Sequence, residues 1–242
     1  MEIITSPKKP KQMSLKFFRG NAKLGDNIYT FSLPAAYTCP AAKLCQSFAN
    51  RQSGRITDGK DMTFRCFAAS QESTYPSVRA ARWHNFDLLK GLSMSDMFKL
   101  INRSLPIDAE IVRIHVSGDY FSADYLNAWL FVARMHPDVL FYSYTKSVHF
   151  IPANIPDNFR ITFSEGGKYD SMIGDRKRAK VVFDPIEADI LGIDIDHDDS
   201  HAYNGDDSFA LLIHGIQPKG TEAAQAIKTL KANKVKYSYS KN

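Results

Sequence analysis

The chain is poor in cysteine and in long apolar runs, and each shortage narrows what it can be. Three cysteines occur in 242 residues, Cys39, Cys45 and Cys66, and an odd count cannot form a complete disulfide framework. In a reducing compartment such thiols either ligate a metal or pack as small apolar side chains. No stretch approaches the roughly 18 to 20 apolar residues that a membrane span needs, and the opening "MEIITSPKKPKQ" lacks the apolar centre of a secretory signal. The expectation is a cytoplasmic protein with no membrane partner. GxGxxG, Walker A and GxSxG patterns are also missing, which withholds support from simple dehydrogenase, nucleotide hydrolase and serine hydrolase readings. No CxxC pair is present, so zinc-ribbon and zinc-finger spacings are excluded.

What is present is an ordinary globular composition, 44% hydrophobic and 24% charged, read as one α/β domain over 1–242 with flexible basic termini at about 1–12 and 234–242. A net charge of +5 and a pI near 9.0 permit a nucleic-acid partner without requiring one. Lysines crowd "KKPK" at 8–11 and the segment 228–242, where Tyr237 and Tyr239 supply the sole aromatic interleaving. That pattern fits either solvated ends or a nucleic-acid arm.

Apolar, β-branched runs recur at 27–33, 110–116, 139–145, 159–164, 180–184 and 209–215, and their unbroken character predicts strands buried on both faces, as in a parallel sheet. Amphipathic helices are predicted between them at 77–92, 93–105 and 122–136, with a closing helix over 221–233. Ser93 or Ser95 and Ser122 or Asp124 are the cap candidates. Six strands with crossover helices fit an open doubly wound sheet or an incomplete (β/α) barrel; the barrel-like form is the expectation carried forward. Both place function at the carboxyl ends of the strands. Polar residues do collect there: Ser117, Gly118 and Asp119; Lys146 and Ser147; Ser164, Glu165 and Gly166; Asp184; His214. The segment "YTCPAAKLC" (37–45) follows the first predicted strand and belongs to the same rim.

Two groups carry metal-ligating chemistry. Cys39, Cys45 and Cys66 offer three soft thiolates with one open position, which suits an iron–sulfur cluster with one exchangeable iron, or zinc. The alternative is plain burial. The second group lies in "IDIDHDDSHAYNGDD" (193–207), where His197, Asp198 and His201 form a possible two-histidine, one-carboxylate site. A calcium EF-hand is excluded there, because counting from Asp194 the required glycine position holds Asp199 and the glutamate position holds Gly205. The alternative is a solvated acidic loop. Ser117, Gly118 and Asp119 suit the binding of a ligand's amino, hydroxyl or ribose groups, or merely a turn that caps a helix. Gly166 allows close backbone approach, and Lys146 could pair with an anion.

The ordered blocks "FSLPAAYTCPAAKLC", "RCFAASQE", "RIHVSGDYFS", "AWLFVA", "FYSYTKS", "HDDSHA" and "FALLIHGIQPKG" resemble the bacteriophage gene-product-eighty-eight-like family from about Phe17 to Ala232. That implies a phage-encoded protein acting inside an infected bacterium. A more distant resemblance is to radical S-adenosylmethionine enzymes, which place a cysteine loop after the first barrel strand. It implies that Cys39, Cys45 and Cys66 ligate a [4Fe-4S] cluster, and that Ser117, Gly118, Asp119, Ser164, Glu165 and Gly166 line the S-adenosylmethionine pocket. Asp119, Lys146, Glu165 and His214 are then the catalytic candidates. The usual CxxxCxxC is absent, and the third cysteine lies past the insertion 46–65, which must loop out for the thiols to meet. Two rivals remain: a zinc-stabilised nucleic-acid-binding phage protein, and a metal-dependent hydrolase that uses the 194–201 loop.

Overall fold

The computed structural model describes residues 13–20, 24–25 and 27–235; the expectation of flexible termini falls mostly outside them. All six predicted strands form, as β2 (Ile28–Phe31), β5 (Ile111–Ile114), β6 (Leu140–Thr145), β7 (Phe159–Ser164), β8 (Arg178–Val182) and β9 (Phe209–Leu212). They pair in parallel in chain order, and β1 (Phe18–Arg19) adds an antiparallel edge to β2. The order never reverses, so the doubly wound alternative, which needs a switch point, does not apply. The sheet is mixed, mostly parallel and not closed.

The helices follow the predicted periodicity where it was strong. α3 (Met94–Ser104) is capped by Ser93, whose side chain accepts from the Asp96 N–H, and it buries Met97, Leu100 and Ile101. α4 (Ala123–Met135) is capped by Ser122 and buries Tyr125, Trp129 and Val132. Thr221 caps α7 (Glu222–Ala232). Pro76 sits in the first turn of α2 (Pro76–Leu89), where its fixed φ suits helix entry. A large core forms as α3 and α4 pack on β2, β5 and β6, with Phe31, Ile114, Trp129 and Phe141 fully buried.

The expected crossover helices fail in two places. Only single short 3-10 turns, Val148–Phe150 and Asp170–Met172, join β6 to β7 and β7 to β8. Pro152 and Pro156 occupy the first of these connections, and each removes a backbone donor and disfavours a helical residue before it. Between β8 and β9 lie α5 (Pro185–Leu191), started by Asp184, and the short α6 (Ser200–Asn204). The insertion after Cys45 is a small hairpin, β3 (Ser47–Ala49) and β4 (Ile56–Asp58), followed by α1 (Phe67–Thr74).

Candidate functional site

The cysteine loop is held by the ends of other strands. Leu33 N–H donates to Ser117 O (2.8 Å) and Val116 N–H to Phe31 O (3.0 Å), which prolongs the β2–β5 pairing to the rim. The loop then crosses to the far side of the sheet: Leu44 N–H donates to Gly166 O (2.9 Å) and Lys168 N–H to Ala41 O (2.8 Å). The β3–β4 hairpin packs against α1, and the chain then returns to the loop, where Thr63 N–H donates to Leu44 O (2.9 Å). Asp58 then clasps the Arg65 guanidinium at 3.0 and 2.5 Å, and Gln217 brackets the Arg65 backbone at 2.7 and 3.1 Å. Cys66 is thereby set at the N-terminus of α1.

The outcome is one cavity of about 170 Å³ lined by Cys39, Cys45 and Cys66 together with Ser117, Gly118, Asp119, Lys146 and Ser164. Burial, then Asp119, then the Cys66 and Cys45 sulfurs push the Cys39 thiol well above its ordinary pKa. Burial, with Cys45 next, raises Cys66 to about 12. Thiols held this way stay protonated near neutral pH. Among the described residues, no three His, Cys, Asp or Glu side chains are gathered closely enough to hold a single metal ion.

The other rim residues are largely committed to each other. Asp119, 3% exposed, accepts from Tyr120 N–H (2.7 Å), Thr145 Oγ1 (2.6 Å) and Lys146 N–H (2.9 Å). About three of its four lone-pair positions are thus taken. Burial still raises its pKa. Lys146 Nζ donates to Ser164 O (3.0 Å), to Ser164 Oγ (2.8 Å) and to Glu165 O, so its three N–H groups tie β6 to β7. Glu165 turns its carboxylate to Arg178 (3.5 Å) and is absent from the cavity lining. Gly166 supplies its carbonyl to the cysteine loop and its N–H to Asp170 (2.7 Å). Gly118 has φ +89°, and a Cβ there would stand 2.6 Å from Thr38 Oγ1 and 2.7 Å from Leu33 Cβ. His214 lies outside this cavity, its ring 3.6 Å from that of Phe67 in a neighbouring cleft.

The Asp/His loop is placed elsewhere. Asp196 is 1% exposed and accepts from Asp199 N–H (2.9 Å), His201 N–H (3.3 Å) and His201 Nδ1 (3.1 Å). Asp199, fully buried, accepts from the Tyr142 and Tyr144 hydroxyls (3.1 and 3.2 Å) and pairs with Arg113 at 2.5 Å. None of His197, Asp198 and His201 lines the cysteine cavity. Asp198 accepts from Ser200 N–H (3.0 Å), which marks a local turn.

One residue escaped the sequence reading. Glu72 of α1 is fully buried; its Oε1 accepts from Ala35 N–H (2.8 Å), Arg82 Nη1 (3.0 Å) and Ser117 Oγ (3.2 Å). Burial raises its pKa, opposed by Arg82. It joins the helix that begins after Cys66 to the cysteine loop and to the turn after β5. The signal was a lone carboxylate in the Ala- and Ser-rich run "FAASQEST".

The model of the family described as Gene product 88 matches residues 13–234. The chain belongs to the gene product 88 family. It is similar to the Gene 88 protein of Mycobacterium phage L5, 31% identical over 114 residues that cover 41% of this chain and 46% of that protein. It is also similar to the Gene 88 protein of Mycobacterium phage D29, 30% identical over 90 residues that cover 34% and 38%. The chain thus spans less than half the length of these curated relatives. No solved structure matches. The family match takes in every candidate residue on the rim, whereas the likeness to radical S-adenosylmethionine enzymes finds no support in these relatives. No helix among the described residues is long and apolar enough to cross a membrane.

Proposed function

We propose that the cysteine cavity holds an iron–sulfur cluster and that the protein carries out S-adenosylmethionine-dependent radical chemistry on a substrate still to be found. The observation that supports this is the lining of one cavity by three cysteines, distant in sequence, together with the residues after β5, β6 and β7. Side chains of β8 and β9, Val181 and Leu211, reach the same cavity. Five flat strands would spread over about 19 Å at roughly 4.8 Å per strand, and a shared cavity across them supports a curled sheet of the incomplete (β/α) barrel kind.

Three thiolates with one open position suit a cluster with one exchangeable iron. Zn–S bonds of about 2.3 Å bring tetrahedral thiolates to about 3.8 Å from one another, whereas a cubane gives each thiolate its own iron and spreads them apart. The three thiols share a void but form no single-ion group. That void is smaller than the roughly 300 Å³ at which ligand pockets usually begin, which suits a compact inorganic group; a nucleoside cofactor would extend beyond it.

When bound, a reduced cluster and S-adenosylmethionine supply a one-electron route to an organic radical. The chain's own residues bind, orient and seclude. Cys39, Cys45 and Cys66 give up their protons as ligands. Gly118, with no side chain, keeps Ser117 and Asp119 against the cysteine loop, and Asp119 retains one acceptor position for a ligand amine or hydroxyl. Lys146 keeps the Ser164–Glu165 backbone at the rim. The lysine-rich ends that motivate nucleic-acid binding fall mostly outside the described residues, and in the 194–201 loop Asp196 and Asp199 are engaged by His201, Tyr142, Tyr144 and Arg113, which favours an anchoring role for those two carboxylates.

Anaerobic purification followed by iron, sulfide and zinc analysis tests the reading. The expected result is about four irons and four sulfides per chain, lost in Cys45→Ala, and release of 5′-deoxyadenosine when the reduced protein meets S-adenosylmethionine. Stoichiometric zinc without iron, or a folded protein free of metal, overturns it. Iron without 5′-deoxyadenosine release refutes the radical chemistry and leaves the cluster.

A further inference from the structure

A second cleft, of about 360 Å³, lies on the other side of Phe67 from the cysteine cavity. That volume falls within the range of small-molecule sites. Its aromatic wall is the Phe67 ring against His214, 3.6 Å between centroids and 30° between planes; Tyr75, 56% exposed, stands at its edge. Among the described residues no carboxylate lines it, and Lys231 contributes an exposed cation.

The hydrogen-bonding groups have a direction. Ser70 Oγ donates to Ile216 O (3.2 Å) or Cys66 O (3.4 Å), and Thr74 Oγ1 donates to Ser70 O (3.0 Å). With their single hydrogens turned toward backbone, both hydroxyls offer a ligand acceptor positions only. Gln71 Oε1 is taken by Arg82 (2.8 Å), so the amide NH2 is what Gln71 can offer. A matching ligand stacks on an aromatic face, donates N–H to Ser70 or Thr74, accepts from Gln71 and carries negative charge toward Lys231.

We propose that this cleft binds a planar, amino-bearing nitrogen heterocycle with an attached anionic group, the chemistry shared by nucleoside monophosphates and pterin carboxylates. The proposal stands apart from the cluster reading, because none of these groups except Phe67 touches the cysteine cavity. It does place the ligand against the residue that follows Cys66.

The test is calorimetric titration of the full chain, metal-free and iron-loaded, with adenosine 5′-monophosphate, pterin-6-carboxylate, adenosine and ribose 5-phosphate. At least one ring-plus-anion compound should bind about tenfold or more tighter than adenosine and ribose 5-phosphate, a difference of about 1.4 kcal/mol; which one binds tells nucleotide from pterin. Lys231→Glu and Ile216→Glu, both at exposed positions, should weaken that compound about tenfold or more with the melting temperature unchanged. Absence of binding by all four, equal binding of adenosine or ribose 5-phosphate, or indifference to both substitutions overturns the proposal. Because the metal-free chain is titrated in parallel, failure of the cluster reading does not decide this one.

Discussion

The cysteine cavity and the 193–207 loop are similarly rich in side chains able to bind metal, yet they spend that chemistry differently. Around the cavity, three thiols line a void, and burial raises the pKa of Cys39 and Cys66. In the loop, Asp196 and Asp199 are engaged by backbone N–H groups, the His201 ring, two tyrosine hydroxyls and Arg113. A cluster of acids and histidines in sequence therefore announces a site only if folding leaves those groups unsatisfied. Here the acids nearest the core anchor the chain inside the sheet, with Ala202 and Tyr203 packed near Tyr142 and Phe209.

Asp199→Ala should break the comparison on the loop side most severely. It takes the fully buried carboxylate away from the largely buried Arg113 and from two tyrosine hydroxyls, at a cost of about 3–5 kcal/mol, readable as a lower urea midpoint. Iron per folded chain should be unchanged; loss of iron in the folded fraction would show that the loop serves the metal site. Gly118→Ala strikes the rim. Its Cβ overlaps Thr38 and Leu33, and the positive φ adds strain, together about 2–4 kcal/mol. Unlike the loop variant, it should also reduce iron retention, since Thr38 directly precedes Cys39.

Acid should separate the regions next. His115, at the end of β5, is 3% exposed, and burial lowers its pKa from 6.5 to about 3. Below pH 6.5 the unfolded chain takes up a proton that the folded chain refuses, so stability falls with decreasing pH, by up to about 1.4 kcal/mol per unit until pH 3. The slope between pH 6.5 and 4.5 should flatten in His115→Asn; an unaltered slope would assign the acid sensitivity to other groups. The smallest effect belongs to Asp194→Asn. That side chain is 90% exposed and 3.9 Å from His201, so its urea midpoint should move by less than about 0.5 kcal/mol.

Much of the frame was legible in the chain. β-Branched apolar runs marked six strands, and the cap candidates Ser93 or Ser95 and Ser122 or Asp124 marked two helix starts, of which Ser93 and Ser122 are the caps, because period and capping are local properties. α1 was not legible: "FAASQEST" has no apolar stripe, and its buried face includes Ser70 and Glu72. Nor were the fates of the polar rim residues. Lys146 and Glu165 looked equally free in sequence, but one spends every N–H on β7 and the other turns to Arg178.

The sequence alone determined the six parallel strands and four of the helices, the rim on which polar residues gather and the family to which the chain is assigned, since these rest on periodicity, caps and ordered motifs. The tertiary structure decided which of those residues meet. Cys66 returns beside Cys45 because a hairpin folds between them and Asp58 and Gln217 fix Arg65. Asp199 becomes an anchor because strand register sets Arg113, Tyr142 and Tyr144 around it. Such meetings depend on contacts between residues tens of positions apart, and no local pattern encodes which partners the register will supply.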